Sequence, residues 1–230
     1  MQTATNKIGI IIPVYNEITS LPGVIETLLK YPAFNIIIID DGSSENIRGA
    51  VSAFPVTYIR HRVNLGQGAA LQTGFDYCRK MNFDAVVTFD GDGQHDSKDA
   101  TILLQPVLRG ESDIVFGSRF LEPGQHQVPF FKRIILQCAR IINFVFSGLL
   151  LSDAHNGLRA LNRHALQKIM ITENGMGHAS EILQQVKKSN LHYLEKQVHI
   201  HYTPYSLRKG QSIWNSVGIL FDLILNKFFK

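Results

Sequence analysis

The chain has 230 residues, 45% hydrophobic and 18% charged, so it can bury a sizeable core and is not an intrinsically disordered protein. Its net charge of +4 and isoelectric point near 9.1 fit an anionic substrate or an anionic membrane surface, but the short, scattered basic clusters do not indicate nucleic-acid binding. Two cysteines make no disulfide framework, the N-terminus does not resemble a signal peptide, and no apolar run is long enough for a membrane span, so we expect a cytoplasmic protein.

Apolar runs alternate with segments of helical periodicity through the first half of the chain. Runs rich in Ile and Val predict strands at residues 7–14, 35–41, 56–60, 85–89 and 113–117. Apolar residues at helical spacing predict helices near residues 21–29, 45–53, 66–78 and 100–108. Strands that are apolar throughout and alternate with helices indicate a parallel sheet covered on both faces, so the predicted fold class is α/β.

The pattern changes after residue 119. The predicted segments are a Pro/Gly loop at 121–129, a long apolar helix at 130–151, helices at 160–170 and 178–188, a strand at 193–202 and an apolar closing segment at 213–229. The chain has no internal repeat and no clear boundary, so we predict a single domain over residues 1–230.

The most informative short motif is the acidic turn after the fourth predicted strand. It places Asp90 and Asp92 two residues apart and adds the side-chain amide of Gln94. Such oxygen ligands suit a hard divalent cation, Mg²⁺ or Mn²⁺, which usually completes its coordination with waters and substrate phosphates. The turn therefore points to an enzyme that handles a nucleotide diphosphate.

Polar clusters also follow other predicted strands. They are Tyr15 to Glu17, Asp40 with Asp41, and Ser118 with Arg119. In parallel sheets, functional groups gather beyond the carboxyl ends of the strands. We therefore expect these clusters and the acidic turn to form one site.

Several motifs, in order along the chain, resemble those of a known family. Four resemble family 2 glycosyltransferases of the GT-A fold: Pro13-Val-Tyr15-Asn-Glu17, Asp40-Asp41-Gly-Ser, Asn64-Leu-Gly66-Gln-Gly68-Ala and Asp90-Gly91-Asp92-Gly-Gln94-His. Three resemble the dolichol-phosphate-mannose synthase-like branch, which includes polyprenyl-phosphate glycosyltransferases: Phe116-Gly-Ser-Arg119, Asp153-Ala-His-Asn156-Gly-Leu-Arg159 and Arg208-Lys209-Gly-Gln-Ser. The resemblance covers residues 8 to 212 and implies a mainly parallel central sheet flanked by helices.

The resemblance also implies roles for individual residues. The implied nucleotide-sugar-binding residues are Pro13, Tyr15, Glu17, Asp40, Asp41, Asn64, Gly68, Asp90 and Gly91, with Gly66 and Gly68 allowing close backbone approach at a helix N-terminus. The implied metal ligands are Asp90, Asp92 and Gln94. The implied catalytic residues are Asp92, Arg119, Glu181, Arg208 and Lys209, the last two in a lid over the diphosphate. The implied acceptor-binding residues are Lys132, Arg133, Asn156 and Arg159.

The activity that this resemblance implies is that of an inverting hexosyltransferase. It would move a sugar from a GDP- or UDP-linked donor, with Mg²⁺ or Mn²⁺, to a polyprenyl phosphate of the dolichyl or undecaprenyl type. Residues 1–120 would bind the nucleotide sugar, and residues 121–212 would form the acceptor side. Residues 130–151 and the amphipathic or packing helix at 213–230 would contact the cytoplasmic face of the membrane, a membrane-protein partner or a second subunit of a homodimer.

Two alternatives stay open at this point. One is a glycosyltransferase that adds a sugar to a hydroxyl of a saccharide or lipid-linked glycan for cell-surface polysaccharide, and the other is a non-catalytic nucleotide-sugar-binding protein. A phosphate acceptor is already anionic near neutral pH and needs little base catalysis, whereas a hydroxyl acceptor needs a positioned carboxylate. Glu181→Gln therefore separates the two acceptors, although Glu181 also fits an ordinary helix surface. Metal-dependent release of nucleoside diphosphate would exclude the binding protein.

Overall fold

The computed structural model describes residues 6–121, 144, 148–153 and 156–201. Within these ranges, seven strands form one sheet: β1 Ile8–Val14, β2 Phe34–Asp40, β3 Thr57–Arg60, β4 Ala85–Thr88, β5 Ile114–Ser118, β6 Arg159–Asn162 and β7 Tyr193–Gln197. Six helices accompany them in the same ranges: α1 Leu21–Leu28, α2 Ile47–Val51, α3 Gln67–Lys80, α4 Ser97–Leu108, α5 Arg163–Lys168 and α6 His178–Lys188.

The strand order across the sheet is β3-β2-β1-β4-β6-β5-β7. Every neighbouring pair is parallel except the two that involve β6, which runs antiparallel to both β4 and β5. The predicted α/β class with a mainly parallel sheet is therefore confirmed. The carboxyl ends of six strands and the amino end of β6 share one edge.

The isoleucine runs of β1 and β2 explain why helices cover both faces of the sheet. Successive side chains of a strand point to opposite faces, so Ile10 and Ile12 enter one apolar core and Ile11 enters the other. Helices α1, α2 and α4 close the first core, and α3, α5 and α6 close the second. Each fully buried Ile side chain contributes about 1.5–3 kcal/mol, so these runs dominate the energetics of the central strands.

Two predicted elements of the second half differ from the structure. The single helix predicted at residues 160–170 is wrong in part, because residues 159–162 are strand β6 and α5 starts only at Arg163. The side chain of Asn162 accepts a hydrogen bond from the backbone N–H of Ala165, which caps the helix and ends the strand. The strand predicted at 193–202 ends at Gln197, and beyond it Ile200 makes an isolated bridge with His95.

The long helix predicted at 130–151 lies mostly outside the described residues, as does the closing segment at 213–230. In the part of the chain that the structure does describe, no helix has both the length and the apolar character needed to cross a bilayer.

Candidate active site

A cavity of about 700 Å³ lies beyond the carboxyl ends of the parallel strands. Its wall follows the strand order, with Asp41 after β2, Tyr15 after β1, Asp90 after β4 and Arg119 after β5. Arg159 reaches the same edge although it begins a strand, because β6 is antiparallel and starts where β4 and β5 end. Neighbouring strands are about 4.8 Å apart, so these groups spread over roughly 20 Å from β2 to β5.

Asp41 organises the end of the cavity next to β2. It is buried, and its carboxylate accepts hydrogen bonds from the backbone N–H groups of Leu65 and Gly66 at 2.9 and 2.7 Å. His61 Nδ1 lies 2.7 Å from the same carboxylate. These contacts hold the loop after β3 over the end of β2, which brings Asn64 and Gly66 into the cavity wall.

The loop after β1 forms the adjoining wall. Pro13, Tyr15 and Glu17 all line the cavity, and Tyr15 is 47% exposed, so its ring offers an open apolar surface. Gly91 packs tightly against this loop, since a Cβ atom at that position would lie 2.8 Å from Glu17 Oε2. The hydroxyl of Ser20 donates to the carbonyl of Gly91 at 2.7 Å and fastens the acidic turn to the start of α1.

Asp40 does not reach the cavity. It is fully buried, and its carboxylate accepts hydrogen bonds from the N–H of Ser43 at 2.8 Å and from the hydroxyl of Tyr58 at 2.5 Å. Burial, followed by the hydrogen bond to Asp40 and the negative charge of that residue, raises the pKa of Tyr58 to about 12. Asp40 and Asp41 are neighbours at a strand end and point to opposite sides. The structure therefore brings only Asp41 to the predicted nucleotide site, and Asp40 braces the turn behind it.

Gly68 was predicted to allow a close approach of the backbone to the ligand, but it packs against another segment of the protein. A Cβ atom there would lie 1.9 Å from the carbonyl oxygen of Glu173, and the Gly68 N–H donates to the carbonyl of Asn174 at 2.8 Å. The N–H of Ala69 also points to Asn174 O, at 3.4 Å. The first turn of α3 thus binds the segment before α6, and Gly68 is not part of the cavity wall, unlike Gly66.

Asp90 is held from three sides at the base of the acidic turn. His95 Nε2 lies 2.9 Å from its Oδ2, and the amide of Gln67 donates to its Oδ1 at 3.3 Å. A Cβ atom on Gly157 would lie 2.5 Å from Asp90 Oδ2, so the turn before β6 packs directly against this carboxylate. Burial alone would raise the pKa of Asp90, but the His95 hydrogen bond and the nearby charges outweigh it and hold the pKa below its ordinary value.

Asp92 has the opposite electrostatic character. Burial and, next, the negative charge of Asp90 raise its pKa above the ordinary value, against two hydrogen bonds from Gln94. The backbone N–H of Gln94 donates to Asp92 Oδ1 at 2.9 Å, and its side-chain amide donates to Oδ2 at 2.5 Å. The turn therefore holds two carboxylates against their mutual repulsion.

This donor set fits a hard divalent cation. Asp90, Asp92 and Gln94 all line the cavity, and a cation would offset the repulsion that raises the pKa of Asp92. The described residues contain no group of three or more His, Cys, Asp or Glu placed to hold a metal. The protein would thus supply two carboxylates and an amide oxygen and leave other ligand positions to phosphates and water, as is usual for Mg²⁺.

Arg119 lines the cavity at the end of β5 and is held by Asp153. Its Nε and Nη2 donate to the two carboxylate oxygens of Asp153 at 2.6 and 2.8 Å, a bidentate pair with only 1% of the Asp153 side chain exposed. A second link joins the same segments, because the hydroxyl of Ser152 lies 2.5 Å from that of Ser118 and donates to Glu195 at 2.6 Å. The guanidinium of Arg119 is therefore fixed rather than loose.

Arg159 and Asn156 form the floor of the cavity beside Asp90. Arg159 is 2% exposed, and burial lowers its pKa to about 10, against the opposing charges of Asp90 and Asp153. Asn156 Oδ1 accepts the N–H of Leu158 at 2.9 Å and shapes the turn into β6. Both were predicted to bind an acceptor, and the structure places both in the cavity wall.

The sequence profile described as "Glycosyl transferase family 2" matches residues 9–170, which includes the acidic turn, Arg119 and the floor residues. The chain belongs to this family. A UDP-N-acetylglucosamine–dolichyl-phosphate N-acetylglucosaminyltransferase from Methanococcus voltae is 30% identical over 99% of this glycosyltransferase and 98% of its own length. An undecaprenyl-phosphate mannosyltransferase from Micrococcus luteus is 31% identical over 69% of this chain and 68% of its own.

Solved structures bear out the GT-A fold of this glycosyltransferase. Glucosyl-3-phosphoglycerate synthase from Mycobacterium tuberculosis superposes with a TM-score of 0.72 at 18% identity, covering 96% of this chain and 79% of that one. A crystal structure of the same enzyme in complex with Mn²⁺ and UDP-glucose superposes with a TM-score of 0.70.

Other predicted residues of the glycosyltransferase lie away from the cavity or outside the described residues. Glu181 is not in the cavity wall, and its carboxylate accepts hydrogen bonds from Thr172 N–H and hydroxyl and from Glu173 N–H at 2.6 to 3.1 Å. Glu181 therefore holds residues 172–174, the segment that binds the start of α3. The predicted residues outside the described ranges are Lys132, Arg133, Arg208 and Lys209.

Sequence reasoning missed four side chains that shape the site. They are Gln67, His95, Asp153 and His178. His95 and Asp153 belong to motifs quoted above, but their role depends on which carboxylate or guanidinium they face. Only His178, at the start of α6, had no local signal, because its segment enters the cavity through tertiary packing.

Proposed function

We propose that this glycosyltransferase transfers a sugar from a nucleoside-diphosphate donor to a polyprenyl phosphate. The observation that carries the proposal is the order of groups along the sheet edge. Apolar side chains and carboxylates lie at the ends of β2 and β1. The acidic turn follows at β4, and the cationic residues Arg159 and Arg119 follow at β6 and β5. Base, diphosphate and sugar follow one another in the same order in a nucleotide sugar, and an anionic acceptor would come last.

The nucleoside of a GDP- or UDP-linked donor would occupy the end beside β1 and β2. The exposed ring of Tyr15 and the neighbouring Pro13 offer an apolar surface to the base. Glu17 and Asp41 offer carboxylate oxygens to ribose or base N–H and O–H groups, and Asn64 offers an amide. Asp40 is not proposed for this role, because its carboxylate lies outside the cavity wall and accepts hydrogen bonds from Ser43 and Tyr58.

The diphosphate would lie over the acidic turn. Asp92, with Asp90 and Gln94, would hold the divalent cation, and a bound Mg²⁺ or Mn²⁺ neutralises negative charge that develops on a leaving diphosphate. His95 and Gln67 hold Asp90 in place, and the hydrogen bond from His95 helps to lower the pKa of Asp90. Arg208 and Lys209, which lie outside the described residues, are proposed to add positive charge over the diphosphate and to exclude water.

The acceptor phosphate would meet Arg119, which lies farther from the nucleoside end than Arg159, the other arginine that the described residues place in the cavity wall. One phosphate oxygen would attack the anomeric carbon on the face opposite the diphosphate, so the new C–O bond forms as the old one breaks and its electron pair leaves with the nucleoside diphosphate. No proton has to move, and the anomeric configuration inverts. The named activities of the Methanococcus and Micrococcus relatives support a polyprenyl phosphate in this position. Lys132 and Arg133 are proposed to assist.

A lipid acceptor also implies contact with a membrane. We propose that the protein acts at the cytoplasmic face, with the acceptor end turned to the lipid. The exposed apolar side chains of Phe144 and Leu150, 45% and 51% accessible to solvent, support such a surface. Glu181 is proposed as a positioning residue for the segment before α6 rather than as a base, since its carboxylate is occupied by Thr172 and Glu173.

The test is a reaction of the purified protein with UDP- and GDP-sugars, Mg²⁺ or Mn²⁺, and either undecaprenyl phosphate or a saccharide with free hydroxyls. We expect a sugar-phosphate-lipid product by mass spectrometry and nucleoside diphosphate release that requires the metal. Asp92→Asn should abolish release, and the exposed Asp76→Asn serves as the matched control. Product on the saccharide hydroxyl alone would overturn the polyprenyl acceptor.

A further inference from the structure

Buried hydrogen-bond donors line the floor of the cavity between the acidic turn and Arg119. Asn156 and Arg159 are 5% and 2% exposed, and both line the cavity. Among the described residues, Asn156 Nδ2 and Arg159 Nε and Nη1 have no hydrogen-bond partner. Buried polar atoms are nearly always paired in folded proteins, so these three donors indicate an oxygen-bearing ligand.

His178 supplies an acceptor on the same wall. It is 4% exposed, and its Nδ1 lies 2.8 Å from the carbonyl oxygen of Gly175. A carbonyl can only accept, so Nδ1 carries the proton. Burial, followed by the positive charge of Arg159, lowers the pKa of His178 to about 4, and the ring is therefore neutral at pH 7. In that tautomer Nε2 bears a lone pair and accepts hydrogen bonds.

The charges around the floor favour a neutral ligand over a phosphate. The guanidinium of Arg159 already interacts with the carboxylates of Asp90 and Asp153. A phosphate would add negative charge beside these groups and would face the lone pair of His178. A hydroxyl group, by contrast, accepts from Arg159 or Asn156 and donates to His178 at the same time.

The position of the floor identifies which hydroxyl groups these are. Strand β6 lies directly beside β4, about 4.8 Å from the strand that carries the acidic turn. If the turn holds the diphosphate, as the proposed function requires, the next group of the donor is its sugar. We propose that Asn156, Arg159 and His178 form a subsite that recognises hydroxyl groups of the transferred sugar. This replaces the acceptor role that the family resemblance implies for Asn156 and Arg159.

Substitutions at two positions test the subsite. Asn156→Ser removes the unpaired amide donor without adding a charge, and its hydroxyl can still accept the N–H of Leu158. His178→Phe keeps a ring of similar shape and removes the Nε2 acceptor together with the Nδ1 hydrogen bond to Gly175, and His178→Gln restores an acceptor oxygen. His192→Phe, at an exposed position outside the cavity, is the matched control.

The experiment is calorimetric titration with Mn²⁺ present, using UDP, GDP, UDP-glucose, UDP-N-acetylglucosamine and GDP-mannose. For the nucleotide sugar that the wild-type protein binds best, we expect Asn156→Ser and His178→Phe to weaken binding by about 10- to 100-fold, because the sugar hydroxyl groups lose their partners. The parent nucleoside diphosphate should bind both variants within about two-fold of wild type, because it lacks the sugar. His178→Gln should recover part of the loss, and His192→Phe should bind like wild type.

Three results would overturn the proposal. Equal weakening of nucleotide and nucleotide sugar would assign the floor to the diphosphate. Unchanged donor binding with a raised KM for undecaprenyl phosphate would assign it to the acceptor. A loss of nucleotide-sugar binding in His192→Phe as large as that in His178→Phe would assign the effect to the overall fold and not to the floor. Because the titrations contain no acceptor, a failure of the polyprenyl phosphate proposal would appear separately, in the product assay.

Discussion

Removing the charge of Asp153 should destabilise the protein and release Arg119. The two side chains form a bidentate pair at 2.6 and 2.8 Å, with 1% of Asp153 and 19% of Arg119 exposed. Breaking a buried pair typically costs 3–5 kcal/mol, and partial exposure of Arg119 places Asp153→Asn near the lower end, at about 3 kcal/mol. For a chain of this size that corresponds to a fall in Tm of roughly 6–12 °C.

Urea unfolding of Asp153→Asn, Arg119→Gln and the double variant measures this directly. We expect a coupling energy above about 1.5 kcal/mol between the two residues. The pair of Asp76 with Arg79 is the matched control, because its shortest distance is also 2.6 Å but Asp76 is 58% exposed. Asp76→Asn should cost no more than about 0.5 kcal/mol. Equal losses for Asp153→Asn and Asp76→Asn would refute the argument that burial gives the Arg119 pair its strength.

Three further predictions concern other parts of the molecule. Gly68→Ala should lower the free energy of unfolding in urea by about 1–3 kcal/mol, because the new Cβ would lie 1.9 Å from Glu173 O. The control is Gly23→Ala in α1, which has nothing within 4 Å of its Cβ position and should be neutral or stabilising. Glu181→Gln should keep more than about one-tenth of the turnover with undecaprenyl phosphate, and near-complete loss in the product assay would restore its role as a base. The pKa of Asp113 is lowered, because hydrogen bonds from Asn162 and His192 outweigh the effect of its burial. Its ionised carboxylate therefore stabilises the folded protein above the ordinary Asp pKa, and this stabilisation is lost as pH falls through the lowered pKa. Asp113→Asn should therefore destabilise by about 1 kcal/mol at pH 7 and by less at pH 3, and an equal deficit at both pH values would contradict this.

Much of the fold was predictable because its signals are local. The runs Ile36 to Ile39 and Ile10 to Ile12 can be buried only between two helical layers, and the structure places them there. Strand β6 was not predictable, since the four residues 159–162 contain no β-branched side chain and their pairing depends on partners more than forty residues away. Long-range pairing of this kind leaves no periodicity in the sequence.

In the candidate site, too, the sequence predicts which segments meet but not which side chains face the cavity. The acidic turn and Arg119 were placed correctly at one edge, because every parallel strand delivers its last residues there. Asp41 faces the cavity and Asp40 does not, because successive side chains of a strand alternate in direction and the hydroxyl of Tyr58 binds Asp40 on the other side. The tight contact at Gly68 was expected, but its partner, the carbonyl of Glu173, lies over one hundred residues away.

The reversed direction of β6 divides the molecule into two parts that can vary separately. Groups after β1, β2 and β4 are delivered by consecutive strand–helix units, but Asn156 and Arg159 arrive on a segment that enters the sheet from beyond β5. Changes in the length or composition of that segment alter the far half of the cavity and leave the pairing of β1, β2 and β4 intact. A chimaera that exchanges residues 119–162 with those of a relative is therefore expected to keep its affinity for the proposed nucleoside diphosphate and to change which nucleotide sugar it binds.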